Sequence, residues 1–120
     1  VYAAYQPQDK VILIRQGMDA PDIFRALSQE LAHAHMDRGE YNRADCAFTA
    51  YCVSYMLCKR NSIAVDTFRF DRLPEAFKEM DAQGIRAELG KIRDVANEIS
   101  RDMAPVLEQR KAPSRDDGAR

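Results

Sequence analysis

Apolar and polar positions recur with different periods along the chain, and the periods divide it into a short β region followed by helices. Tyr2 to Tyr5 is rich in aromatic and small residues, and Val11-Ile12-Leu13-Ile14 is a largely β-branched run. Between them Gln6-Pro7-Gln8-Asp9-Lys10 reads as a turn, so the pattern predicts a β-hairpin ended by Arg15, Gln16 and Gly17. Asp19 then offers a capping oxygen. Pro21 and Asp22 fall in the first helical turn, where a missing N–H is tolerated and a negative charge is favoured. Ile23, Leu27, Leu31 and Ala34 recur at helical spacing, which predicts a helix running to about Asp37 with that stripe as its core face and Gly39 as its stop.

A second helix is predicted from Asn42 to Arg60, with Phe48, Cys52, Tyr55 and Met56 among its apolar positions. Few charges interrupt its middle, which implies burial on most sides. Asn61 to Leu73 reads as extended or irregular, anchored by Val65, Phe68 and Phe70, and Pro74 opens a short helical turn through Glu75, Ala76, Phe77 and Met80. Ile85, Leu89, Ile92, Ala96, Ile99 and Met103 alternate steps of four and three, the mark of a long last helix with a single apolar seam. Pro105 is expected to kink or end it. Residues 1–111 therefore read as one α+β domain, an N-terminal hairpin or small sheet followed by three main helices, and 112–120 as a disordered tail without apolar anchors.

Composition narrows the classes. With 120 residues there is room for one core, and 46% hydrophobic against 31% charged residues fits neither a disordered nor a membrane protein. Runs such as Val11 to Ile14 are far too short to span a bilayer. Eighteen basic against nineteen acidic residues give a net charge of −1, so the chain lacks the positive surplus that drives sequence-independent nucleic-acid binding. Arg110, Lys111, Arg115 and Arg120 are mixed with Asp116 and Asp117 and form no coherent basic patch. The chain opens at Val1 without a starting Met or a signal-peptide pattern, and is expected to be a piece of a longer cytoplasmic protein. Cys46, Cys52 and Cys58 are spaced by six, and each step of six turns a helix by roughly 240°. Three thiols on three faces share neither a metal nor a disulfide, which suits a reducing cytosol.

The chemistry worth weighing lies in Ser28-Gln29-Glu30-Leu31-Ala32-His33-Ala34-His35. Histidines at i and i+4 of a helix both reach one zinc ion, and a glutamate after the first serves as general base for a metal-bound water. Here Gln29 stands at the first position, so Gln29, Glu30 and His33 reproduce the triplet with one imidazole replaced by a neutral amide, a weak zinc donor. His35 is rotated roughly 200° from His33 and points elsewhere. The bland reading of each residue is simpler. Glu30 is then a surface or hydrogen-bonded carboxylate, His33 a satisfied histidine bonded to Gln29 or to a second-helix hydroxyl, and Tyr51 and Tyr55 core aromatics with wet hydroxyls.

Ala4-Tyr5-Gln6-Pro7, the run Val11 to Met18, and Gln29 to Ala34 together resemble the metallopeptidase-like domain of ArdC-type anti-restriction and LtrC-like proteins. The likeness continues through Val53 to Arg60, Asp66 to Phe70 and the helix from Ile85 to Ile99, in unbroken order over residues 3–108. It implies a zincin-like fold, in which two strands lead into a helix bearing a His-Glu-x-x-His-Ala motif. It also implies an upstream domain that binds single-stranded DNA, absent from this chain, and a bacterial parent protein carried on plasmids or transposons. A third metal ligand is implied too, a glutamate just before the segment matching Val53-Ser54-Tyr55. That region reads Phe48-Thr49-Ala50-Tyr51-Cys52 here, with no carboxylate.

Two of three implied ligands are thus replaced, and each lost ligand removes several kcal/mol from a zinc-binding energy on the order of 10–16 kcal/mol. Asp45, one turn before Thr49, is the one substitute that shares its helical face. Two functions follow as expectations. The first is a non-catalytic interaction or support module with no cofactor, its vestigial site marked by Gln29, His33, Thr49 and Tyr51, and its partners the other domains of the parent protein. The alternative is a zinc-dependent peptidase with a non-standard site, Glu30 as general base and the metal on His33, Asp45 and a further group. Direct DNA binding by this chain alone follows only by association, against the net charge.

Overall fold

The computed structural model describes residues 2–119, with side chains through residue 104. β1 (Ala3–Gln6) and β2 (Val11–Ile14) pair antiparallel with Ala3 opposite Ile14 and Gln6 opposite Val11. Lys10 takes a φ of 57° in the turn between them. The Arg15 N–H donates to the Tyr2 carbonyl at 2.8 Å, so even-numbered residues of β1 bond to β2 and the N–H groups of Ala3 and Tyr5 point to the other edge. Ala3 and Tyr5 are buried, and this side of β1 packs on α1 (Ala20–Met36).

α1 starts where the sequence places it. Asp19 accepts from the Asp22 N–H at 3.3 Å, and Asp37 caps the other end before Gly39, whose φ of 99° is open to glycine alone at little cost. α2 (Arg43–Arg60) opens on an Asn42 side chain that accepts from the Asp45 N–H. The short α3 (Glu75–Lys78) follows Pro74, and α4 (Ala82–Ala119) is the long last helix. The predicted α+β order, hairpin then helices, is the order observed.

The core lies where α1, α2 and α4 meet, built from Ala32, Ala50, Val53, Leu57, Ile92, Val95, Ala96 and Ile99. Burying a side chain the size of Leu57 contributes about 1.5–3 kcal/mol. Phe48, Tyr51, Tyr55, Phe68, Phe70 and Phe77 meet mostly edge-on or tilted in an aromatic cluster that fastens the irregular 61–73 segment and α3 to α2.

Four expectations need correction. The predicted stripe of α1, Ile23, Leu27, Leu31 and Ala34, is only half-buried. Its deepest positions are Ser28, Glu30, Ala32 and His33: Ser28 bonds Ser54, Glu30 bonds Arg43 and Tyr5, and His33 bonds Tyr41 through Nδ1. On α2 the buried residues are Thr49, Ala50, Val53, Ser54, Leu57 and Cys58, while Cys52 and Met56 pack half-buried against that core and Phe48 and Tyr55 sit in the aromatic cluster. The α4 seam is core only from Ile92 onward, since Ile85 and Leu89 are 37% and 55% exposed on turns that reach beyond α1 and α2. Finally, α4 continues past Pro105 to Ala119. The proline thus does not end the helix. The expected tail, 112–120, lies outside the residues described with side chains.

Candidate functional site

Glu30 is 3% exposed and sits on the α1 face that meets both β1 and the start of α2. Its carboxylate is spoken for three times. Arg43 donates through both terminal nitrogens, each at 2.8 Å, one to Oε1 and one to Oε2, and the Tyr5 N–H donates to Oε1 at 2.8 Å. This fork geometry fits a carboxylate better than any lysine contact. Arg43 is the first residue of α2, where the helix dipole disfavours a cation, so its partner has to offset an unfavourable position. Burial alone would raise the Glu30 pKa; the Arg43 and Tyr5 hydrogen bonds outweigh it and hold the carboxyl below its ordinary value.

His33, one turn further along α1, is wholly buried. Its Nδ1 lies 2.7 Å from the Tyr41 hydroxyl, and Nε2 has no hydrogen-bond partner. Burial first, then the Arg43 charge, lowers its pKa, so the imidazole is neutral. Tyr41 stands edge-on to His33 and to Tyr5, with ring centres 5.8 and 5.7 Å apart. The Tyr5 hydroxyl donates to Asp37 at 2.7 Å, and Lys10 and the Gly39 N–H donate to the same carboxylate. The hairpin is thus pinned to α1 at both ends of Tyr5, by its backbone N–H and by its hydroxyl.

Beside the Glu30–Arg43 pair opens a cavity of about 500 Å³, walled by Tyr2, Tyr51 and Phe68 and by the side chains of Gln29, Arg25 and Asp22. Arg25 bonds Asp22 at 2.7 Å and the Ala64 carbonyl at 2.8 Å, so both guanidinium groups of the wall already have partners. Of the residues singled out in the sequence, the cavity brings together Gln29, Glu30 and Tyr51. Thr49 is buried in the α1–α2 contact. Asp45 is exposed on the first turn of α2 and does not line the cavity. The Tyr51 hydroxyl accepts from the Arg69 N–H at 2.6 Å. His35 turns toward α4, with Nδ1 3.1 Å from Glu98 and Nε2 3.7 Å from Asp102.

The residues do not fit the metal that the family resemblance implies. Among the described residues no group of three His, Cys, Asp or Glu side chains converges on one point. A catalytic zinc needs three such ligands and a water. Position 29 offers an amide, and the Glu30 carboxylate already faces a guanidinium. The three thiols are free, and burial pushes Cys52 up to about 11.

Sequence reasoning missed Arg43 and Tyr41. The one available signal was local: Tyr41-Asn42-Arg43 lies just after the Gly39-Glu40 turn and enters α2, so the returning chain lays these side chains against the α1 face carrying Glu30 and His33. The chain matches no protein-family model, no curated protein and no solved structure at a significant level.

Proposed function

We propose that this chain is a non-catalytic, zincin-like domain of the ArdC and LtrC type, a cytoplasmic interaction or support module of a longer protein encoded on a bacterial mobile element. The observation that carries the reading is the state of Glu30. Three N–H donors occupy its carboxylate, and two of them belong to the Arg43 cation, which keeps it ionised and engaged. A general base needs a free lone pair within reach of a water and a pKa near the working pH. Glu30 is pushed the opposite way. The hairpin leading into a helix with Gln29, Glu30 and His33 on one face supports the zincin-like part of the proposal. The cavity beside that face, with three aromatic rings and an amide free of ion pairing, gives the module a surface on which to meet a partner.

The rival reading, a peptidase with an unorthodox metal site and Glu30 as base, has one observation in its favour: the buried, unpartnered Nε2 of His33. A single imidazole is far short of the ligand set that catalysis requires. Elemental analysis of protein purified without chelators decides between the two. The non-catalytic reading predicts zinc far below stoichiometric; one zinc per chain contradicts it.

A further inference from the structure

The carboxylate of Glu30 is buried, and a buried charge persists only beside a partner of opposite sign. In the motif that the resemblance implies, such a carboxylate faces a metal-bound water, with the ion's charge behind it. We propose that the Arg43 guanidinium is the built-in cation of this site, holding the carboxylate that would otherwise face a metal-bound water, and that β1, α1 and the first turn of α2 are assembled around its pair with Glu30. The proposal deepens the non-catalytic reading and rests on it.

Three independent features converge. The fork on Glu30 is symmetric, 2.8 Å to each oxygen, and leaves the remaining Oε1 lone pair to the Tyr5 N–H, so three chain elements share one carboxylate. Arg43 occupies a helix-start position where a cation costs free energy unless something holds it there. His33, the matched metal ligand, lies in the field of the same guanidinium, which disfavours a second positive charge beside it. A dication on the Glu30 carboxylate would have to displace the Arg43 fork, which lies 2.8 Å from each oxygen, so the two cations exclude each other there.

The test is a double-mutant cycle read by thermal melting at neutral pH, with Zn²⁺ and with EDTA. Arg43→Met strands the buried carboxylate and lowers Tm by about 5 °C or more. Glu30→Gln/Arg43→Met melts above Arg43→Met alone, because the neutral amide still accepts the Tyr5 N–H and no longer needs a cation. Arg43→Lys falls between wild type and Arg43→Met, since an ammonium supplies the charge without the fork. If Arg43→Met does not fold, recovery of a folded double variant is the same evidence. Neither Zn²⁺ nor EDTA moves the wild-type Tm. Additive losses, with the double variant below both singles, overturn this proposal and leave the non-catalytic reading standing. A wild-type Tm raised by Zn²⁺ overturns both.

Discussion

Asp37 carries as much of the hairpin's attachment as Glu30 does. It ends α1, accepts from the Tyr5 hydroxyl, the Lys10 ammonium and the Gly39 N–H, and these donors, Tyr5 first, draw its pKa down from 3.8 to about 2. A depressed carboxyl pKa stabilises the fold above the unfolded-state value and loses that contribution as pH falls through the folded value. Both Asp37 and Glu30 are depressed, so the domain should lose stability as pH falls below their ordinary carboxyl values toward about 2. Asp37→Asn should therefore lower Tm at pH 7 and change it little at pH 2, measured by circular dichroism at the two pH values. Equal losses at both would mean that Asp37 acts by packing and not by charge. Breaking the Glu30 pair from the arginine side falls between an exposed and a buried ion pair, at about 2 kcal/mol, because Arg43 is half-exposed.

At the scale of elements, α1 and α2 are joined by polar contacts as well as by apolar ones. The hydroxyls of Ser28 and Ser54 lie 2.8 Å apart in the buried seam, both within hydrogen-bond distance of the Arg25 carbonyl, so one donates to that carbonyl and the other to its neighbouring hydroxyl. Ser54→Ala should cost about 1–3 kcal/mol by leaving buried partners unsatisfied. Leu57→Ala, in the centre of the α1–α2–α4 core, should cost about 2–5 kcal/mol. Urea unfolding gives both values, and a Leu57→Ala loss below that of Ser54→Ala would place the core elsewhere. The hairpin, the Asp19 cap, the Gly39 stop and the helices were legible because their signals are local: a turn, a capping side chain, a periodicity. The burial pattern of α1 was not. Periodicity counts apolar residues, whereas Ser28, Glu30 and His33 are buried because Ser54, Arg43 and Tyr41 reach them from 8 to 26 residues away. In the same way the exposed Ile85 and Leu89 belong to the α4 seam by spacing and to the surface by where α1 and α2 end.

The whole molecule measures 60 × 31 × 27 Å, and its long dimension follows α4, whose 38 residues at 1.5 Å each span about 57 Å. Among the described residues no helix is long and apolar enough to cross a membrane. With a net charge of −1 and the wall guanidinium groups already paired, this chain should show no retention of single-stranded DNA at physiological salt. A mobility shift that persists under those conditions would assign DNA binding to this domain itself.

The claim on which these predictions converge is that the Glu30 carboxylate belongs to an ion pair and not to a water. Carbon-13 detection of its side-chain carboxyl through an acid titration reads this directly. The account predicts no change from pH 7 until below the ordinary glutamate value, with the inflection moving upward in Arg43→Lys. An inflection above that ordinary value in the wild type, the signature of a buried carboxyl without a cation beside it, would contradict it.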